Sequence, residues 1–194
     1  TELLMELAAQ HPSKKDTLTE FISLRYFNPV GNHPSGLLGE NITLDRATNL
    51  LAMVARVYCY NQTHPTPKTL SVYGNDYPDT PDGTCQRDFI HVMDLAVGHV
   101  VALNYHGAVD QLTVFNLGTG QPVSVQEILT QFQQVAGVTL PTQVVGRRPG
   151  DLPVSYANVD QAQQHLGWQA THDIATACQD LLVRCHYFLK EARK

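Results

Sequence analysis

Tyr73–Asp94 reads YGNDYPDTPDGTCQRDFIHVMD and is fed by the strand-like TLSV of Thr69–Val72. Its middle, Tyr77–Gly83, is built from prolines, aspartates and a glycine. That composition predicts an ordered loop rather than a helix or an interior strand, with its backbone placed by contacts elsewhere. Past the loop the chain turns apolar in DLAVGHVVAL, and Asp94 is the expected cap of a helix running through Leu103.

Within this stretch Arg87 is the side chain to examine first. Placed in the loop that leads into FIHVM, its guanidinium can meet a phosphate or carboxylate with a rigid fork of donors. Read locally, a surface ion pair with Asp88 or Asp94 is the simpler account. His91, beside a helix start, reads as a structural hydrogen-bonding group before it reads as a base.

Working outward, Thr1–Gln10 places Leu3, Leu4, Leu7 and Ala8 on one helical face, and Glu20–Arg25 (EFISLR) reads as a strand entering YFNPVGNHPSG. Asn28 follows that strand, where α/β proteins often place ligand-contacting loops, although read locally an Asn-Pro turn is the simpler account. Arg46–Tyr60 has helical spacing through Leu50, Leu51, Val54 and Val57, with Asp45 as the expected cap and Asn49 near the start. Gln111–Leu117 predicts a strand ending in NLGTG. That pentapeptide lacks the full glycine fingerprint of a phosphate loop. Ser124 is the expected cap of a helix over Val125–Ala136, and Leu140–Val145 an extended strand. GRRPGDLPVSYAN then forms a shaped loop in which Arg147 or Arg148 could join Arg87 on a phosphate and Asp151 could accept from sugar hydroxyls. Asp160–Leu166 and Ile174–Leu189 are two more helical patterns, with Trp168 a packing anchor between them.

Strand, loop and helix alternate without an internal repeat, which argues for α/β architecture. The 194 residues are 43% hydrophobic, enough for a sizeable core, and a net charge of −5 disfavours general attraction to nucleic acid or an anionic membrane. Cys59, Cys85, Cys178 and Cys185 lack zinc-knuckle spacing and suit a reducing compartment. With no apolar run of membrane-spanning length, the expected setting is cytoplasmic.

Taken together in order, RYFNPVG (Arg25–Gly31), YGNDY (Tyr73–Tyr77), DGTCQRDFIHVMD (Asp82–Asp94), NLGTG (Asn116–Gly120) and RRPGD (Arg147–Asp151) closely resemble the C-terminal part of the UDP-glucose 4-epimerase family, within the extended short-chain dehydrogenase/reductases. The resemblance implies an NAD-binding Rossmann-like fold with a smaller mixed α/β substrate lobe. Residues 1–30 and 91–120 would return to the nucleotide-binding domain, while 32–90 and 122–194 would form the UDP-sugar lobe. It further implies that Tyr26, Phe27 and Pro29 border the nicotinamide, and that Asn28, Asn49 and Leu50 approach the sugar nucleotide. Ser71 and Tyr73 would surround the uracil, Arg87 and Arg148 would bind the diphosphate, and Asp151 the ribose. Ser155 would stand at the sugar-pocket wall, where a bulky tyrosine confines relatives to UDP-glucose and UDP-galactose, so N-acetylated UDP-hexoses are expected substrates too. No metal is implied, and a homodimer is expected for the intact protein.

The same resemblance implies that the glycine fingerprint for NAD, the catalytic serine or threonine and the Tyr-x-x-x-Lys pair precede Thr1. No catalytic residue is therefore expected within the 194 residues, and the chain by itself is expected to lack turnover. In the intact enzyme an upstream tyrosinate would take the O4 proton while NAD accepts hydride from C4, giving a 4-keto sugar. A UDP-sugar dehydratase or decarboxylase, or a noncatalytic nucleotide-sugar-binding protein, are the alternatives. GTCQRD stands where the family frequently has GTGVRD, and Phe89 where tyrosine is common.

Overall fold

The computed structural model describes residues 21–42, 49–107 and 112–192. The helix expected over Thr1–Gln10 and the cap expected at Asp45 lie outside these residues. Among the described residues, three short ladder groups carry the strands. In the first, β1 (Phe21–Tyr26) runs parallel to β5 (Leu112–Leu117), in register from Phe21 opposite Leu112 to Tyr26 opposite Leu117. At Phe27, whose amide donates to Leu117 O at 3.2 Å, the chain leaves β5. It continues as β2 (Asn28–Val30), parallel to β4 (Gln86–His91). Pro29 cannot donate to a ladder, and β2 has only β4 beside it among the described residues, so the proline costs no pairing.

β4 is the strand on which the second ladder turns. Its C-terminal half holds β2, while its N-terminal half lies between antiparallel β6 (Pro122–Ser124) and parallel β8 (Val154–Ser155). Arg87 therefore sits inside a strand, opposite Val123 and Ser155, and not in the preceding loop where sequence reasoning put it. The third ladder pairs β3 (Leu70–Tyr73) with β7 (Thr142–Val145), also parallel. Mixed α/β structure with parallel sheets is thus the fold class.

Among the described residues, four α-helices cover the strands. In α1 (Leu50–Asn61) the cap is Asn49, whose backbone is extended and whose side chain accepts from Leu51 N. In α2 (Val92–Ala102) the cap is His91, whose Nδ1 accepts from Met93 N at 3.1 Å. Asp94, expected in that role, lies inside the first turn. Its buried carboxylate accepts from the amides of Thr171 (3.1 Å) and His172 (2.9 Å) and from both their side chains. α3 (Val125–Ala136) begins as expected: Ser124 and Glu127 form a reciprocal capping box. Asp160–Leu166 is helical as expected, its last five residues, Ala162–Leu166, as a π-helical segment stopped by Gly167 in the left-handed region. α4 (Ile174–Glu191), the longest helix among the described residues, is capped by Asp173.

Two apolar cores result. The larger joins α1, α3 and α4 to β3 and Phe89 around Val54, Phe132 and Cys185. The smaller gathers Ile90, Phe115, Leu117 and Trp168 beneath α2. Trp168 is the anchor expected of it: its ring is buried and its indole N–H donates to Asp94 O at 3.2 Å.

Candidate functional site

Alternation along β4 divides its side chains between two tasks. Asp88 and Ile90 are fully buried, while Arg87 and Phe89, two residues apart and so on the other face, border a cavity of about 460 Å³. Its wall is completed by Asn28 and Pro29 of β2, Asn49, Leu50 and Met53 at the start of α1, and Ser71 and Tyr73 of β3. Cys85, Val125, Arg148 and Asp151 close the remaining side. Polar groups converge on an otherwise apolar hollow, the general form of a small-molecule site.

At the polar end Arg87 forms an ion pair with Asp151, the side chains being only 16% and 21% exposed, and its other amino group donates to Gln86 O at 2.6 Å. Arg148 lies with its guanidinium 4.0 Å from the centre of the Tyr73 ring. The two adjacent arginines part company here. Arg147 is held by Asp76 at 2.7 Å and by the Tyr77 ring at 4.2 Å, and it does not line the cavity. Its hydrogen bond holds the Asp76 carboxyl below its usual range. Burial pushes the Cys85 thiol up, against the pull of Arg87.

Local sequence explains how these groups are held. Gly74 has φ 79°, and a Cβ there would stand 2.8 Å from Arg147 Cγ, so the glycine of YGNDY is needed for the turn and for the close approach. Asp82 accepts from Thr84 N at 2.8 Å, from the Thr84 hydroxyl and from the Ser124 hydroxyl, tying the loop to the start of α3. The expected ordered loop at Tyr77–Gly83 closes with Tyr77 N donating to Gly83 O at 3.0 Å. Asn49 is saturated on both sides: besides capping α1 it donates through Nδ2 to Pro29 O at 2.6 Å, fixing the two cavity walls to each other.

NLGTG does something other than hold a phosphate. Asp88 accepts from Thr119 N (2.8 Å), Thr119 Oγ1 (2.7 Å), Gly120 N (2.9 Å) and Ala157 N (3.1 Å). A Cβ on Gly118 would lie 2.5 Å from Asp88 Oδ2. The motif therefore wraps a buried carboxylate that is the immediate neighbour of Arg87.

The cavity brings together Asn28, Pro29, Asn49, Leu50, Ser71, Tyr73, Arg87, Arg148 and Asp151. It does not include Tyr26, Phe27 or Ser155. Tyr26 is 51% exposed, and its hydroxyl is hydrogen-bonded to His99 Nε2 of α2 at 2.6 Å. Ser155 is half-buried in β8 beside Arg87. Sequence reasoning missed Met53, Cys85, Phe89 and Val125 as wall residues; the alternation of Arg87 with Phe89 was the one available signal. It also missed the pairing of His91 Nε2 with Asp180 Oδ2, 3.3 Å apart, under a His172 ring stacked at 4.6 Å. Burial first, and then the neighbouring His172, lower the His91 pKa. Among the described residues no cluster of three or more His, Cys, Asp or Glu is arranged to hold a metal ion.

The chain is 42% identical over 185 residues to UDP-glucose 4-epimerase 2 of Arabidopsis thaliana, covering 93% of the chain and 50% of that protein. It is 42% identical over 167 residues to UDP-glucose 4-epimerase of Neisseria gonorrhoeae, covering 86% and 47%. The crystal structure of UDP-glucose-4-epimerase from Stenotrophomonas maltophila, with bound NAD and formylated UDP-arabinopyranose, superposes with a TM-score of 0.83 at 38% identity over 98% of this chain and 53% of that one. The Bifidobacterium longum enzyme in complex with NAD+ and UDP gives 0.80 at 36% identity, over 96% and 52%. The chain spans about half the length of the curated relatives it matches. Because residues 2–118, more than half of its length, match the family directly, the chain belongs to the NAD dependent epimerase/dehydratase family.

Proposed function

We propose that this chain supplies the UDP-sugar-binding part of an NAD-dependent UDP-glucose 4-epimerase, interconverting UDP-galactose and UDP-glucose. The observation that carries the reading is the single cavity bordered by Arg87, Arg148, Asp151, Tyr73 and Asn28. Arg87 and Arg148 hold the diphosphate by charge-assisted hydrogen bonds, Asp151 accepts from the ribose, and Ser71 and Tyr73 border the uracil. Met53, Phe89 and Val125 exclude water from the clamp, which strengthens every charged contact inside it. The complexes of relatives with NAD and UDP support both ligands.

Tyr26 and Phe27 fit the nicotinamide side, since they lie at and just past the carboxyl end of β1, where parallel α/β sheets receive their ligands, and Pro29 follows them within β2. NAD, when bound, supplies the hydride acceptor and donor for C4 of the hexose. The residues of this chain anchor UDP while the hexose turns.

In this reading residues 1–30 and 91–120 belong to the nucleotide-binding domain, and 32–90 and 122–194 to the substrate lobe. The larger apolar core lies within the lobe ranges apart from Val30, while the smaller one joins Ile90, Ala162, Leu166 and Trp168 of the lobe ranges to Leu95, Phe115 and Leu117, so the two portions meet there. Ser155 does not line the cavity itself, but it is the register partner of Arg87, and in this reading its small side chain leaves room beside the sugar for the acetamido group of UDP-GlcNAc and UDP-GalNAc. The intact protein is a cytoplasmic homodimer; no helix among the described residues is long and apolar enough to cross a membrane. The test is calorimetric titration of the full-length protein with UDP, followed by conversion of UDP-galactose in the presence of NAD. Saturable UDP binding with epimerisation is expected, and an absence of UDP binding would overturn the assignment.

A further inference from the structure

Period-two alternation sets Tyr73, Ser71 and Thr69 in one row along β3 and its entry, each about 7 Å from the next. All three border the nucleotide cavity, and the two ends of the row differ. At the Tyr73 end the Arg148 guanidinium lies against the ring, and the Arg87–Asp151 pair stands in the same wall. At the Thr69 end a second cavity begins, of about 500 Å³, floored by Val57 and Tyr60 of α1 and by Phe188 and Leu189 of α4. Among the described residues only Met53 and Thr69 border both cavities, so these two side chains form the partition between them.

The partition is held on both sides. Met53 lies in the first turn of α1, its amide donating to Asn49 O at 3.1 Å, and its sulfur accepts from Arg56 Nη1 at 4.0 Å. Before Thr69 the chain is fastened by the Asn61 side chain, which accepts from Lys68 N at 2.7 Å and donates to Lys68 O at 3.1 Å. A thioether left to itself is an adaptable wall, and a tethered one keeps its place.

We propose, resting on the reading of the first cavity as the UDP site, that Met53 is a specificity-determining residue that limits the size of the nucleotide base. With the diphosphate fixed at Arg87 and Arg148, the base extends along Ser71 toward Thr69 and Met53. Uracil ends short of the partition. A purine, whose second ring carries it further from the ribose, overlaps the Met53 side chain, and overlap rejects a ligand without any need for a contact that favours the smaller one. Truncating Met53 opens the first cavity onto the second and gives that ring a place to go.

Titration calorimetry on the full-length protein compares UDP with ADP, which share ribose and diphosphate, so the ratio of their affinities isolates the base. The parent should bind UDP roughly tenfold or more tightly than ADP, and Met53→Ala should shrink that ratio about fivefold or more, chiefly by a gain in ADP affinity. Met53→Val, a milder truncation that keeps the wall apolar, should shift the ratio the same way and carries the test if alanine impairs folding. Met53→Leu, which restores most of the volume, should bring the ratio back toward the parent's. Equal losses of UDP and ADP affinity in the truncated variants would mark a merely structural role and overturn the proposal alone, as would a parent that binds ADP as tightly as UDP. A parent that binds neither nucleotide would overturn the UDP-site reading and the proposal with it.

Discussion

Replacing Arg87 by alanine tests the phosphate clamp most directly. Its guanidinium is largely shielded from water and already engages Asp151, so the geometry for receiving an anion is in place before a ligand arrives. Losing a charged hydrogen bond of this kind costs about 1.5–3 kcal/mol. The substitution has a second effect, since the Asp151 carboxylate then faces the diphosphate without its cation. At a separation of about 5 Å and an effective dielectric of about 20–80, that repulsion is worth roughly 1–3 kcal/mol. The two effects together, about 2.5–6 kcal/mol, should therefore lower UDP affinity by about 60-fold or more, at about 1.4 kcal/mol per tenfold change. Adding Asp151→Asn should recover the repulsive part but not the lost donor. Titration calorimetry with UDP on the parent, both single variants and the double variant measures each quantity. Affinity within twofold of the parent for Arg87→Ala would refute the clamp, and a double variant no better than Arg87→Ala would remove Asp151 from the diphosphate's neighbourhood.

Ser155→Tyr should lower kcat/KM for UDP-GalNAc on the order of tenfold or more relative to UDP-galactose, because overlap rejects the larger ligand; equal losses on both substrates would clear Ser155 of gating. Gly118→Ala forces a Cβ against the Asp88 carboxylate and, at 2.6 Å, against Ala157 Cβ, and denaturant unfolding should show a loss of about 1–3 kcal/mol. Stability should fall in two acid windows. His91, neutral in the fold with a lowered pKa, binds its proton more readily unfolded, so stability present above about pH 6.5 is lost as pH drops through its folded value. Asp94 acts lower: burial opposes ionisation, but bonds from His172 and Thr171 prevail and lower its pKa, so its contribution disappears only below the ordinary carboxylate range. Unfolding midpoints across pH should show both limbs, and His91→Asn, which can still accept from Met93 N, should flatten the upper one.

What the sequence disclosed followed the range over which each signal acts. The helix at Val125–Ala136 was legible to the residue because Ser124 and Glu127 form a capping box within four positions. Asp94 was misread because its partners, Thr171 and His172, lie 77 and 78 residues away; their recruitment of its carboxylate leaves the cap to His91. Arg87 was placed in a loop because Gln86–His91 becomes a strand only through β2, β6 and β8, none of them adjacent in sequence. The cavity was invisible to periodicity for the same reason. Its residues come from stretches separated by most of the chain, and the ordered motifs of the family, not spacing, indicated that they meet.

Asp88 turns part of the surface into a gauge of the whole fold. The amides of Thr119, Gly120 and Ala157 sit outside the strand ladders, in segments that would ordinarily trade their protons with solvent within local openings. Here each donates to one fully buried carboxylate, which cannot be released without pulling β4 apart. In deuterium oxide these three loop protons should persist as long as those in the middle of β4. Their exchange would then report unfolding of the entire second ladder, and any ligand that stabilises Arg87 should slow all three by one common factor.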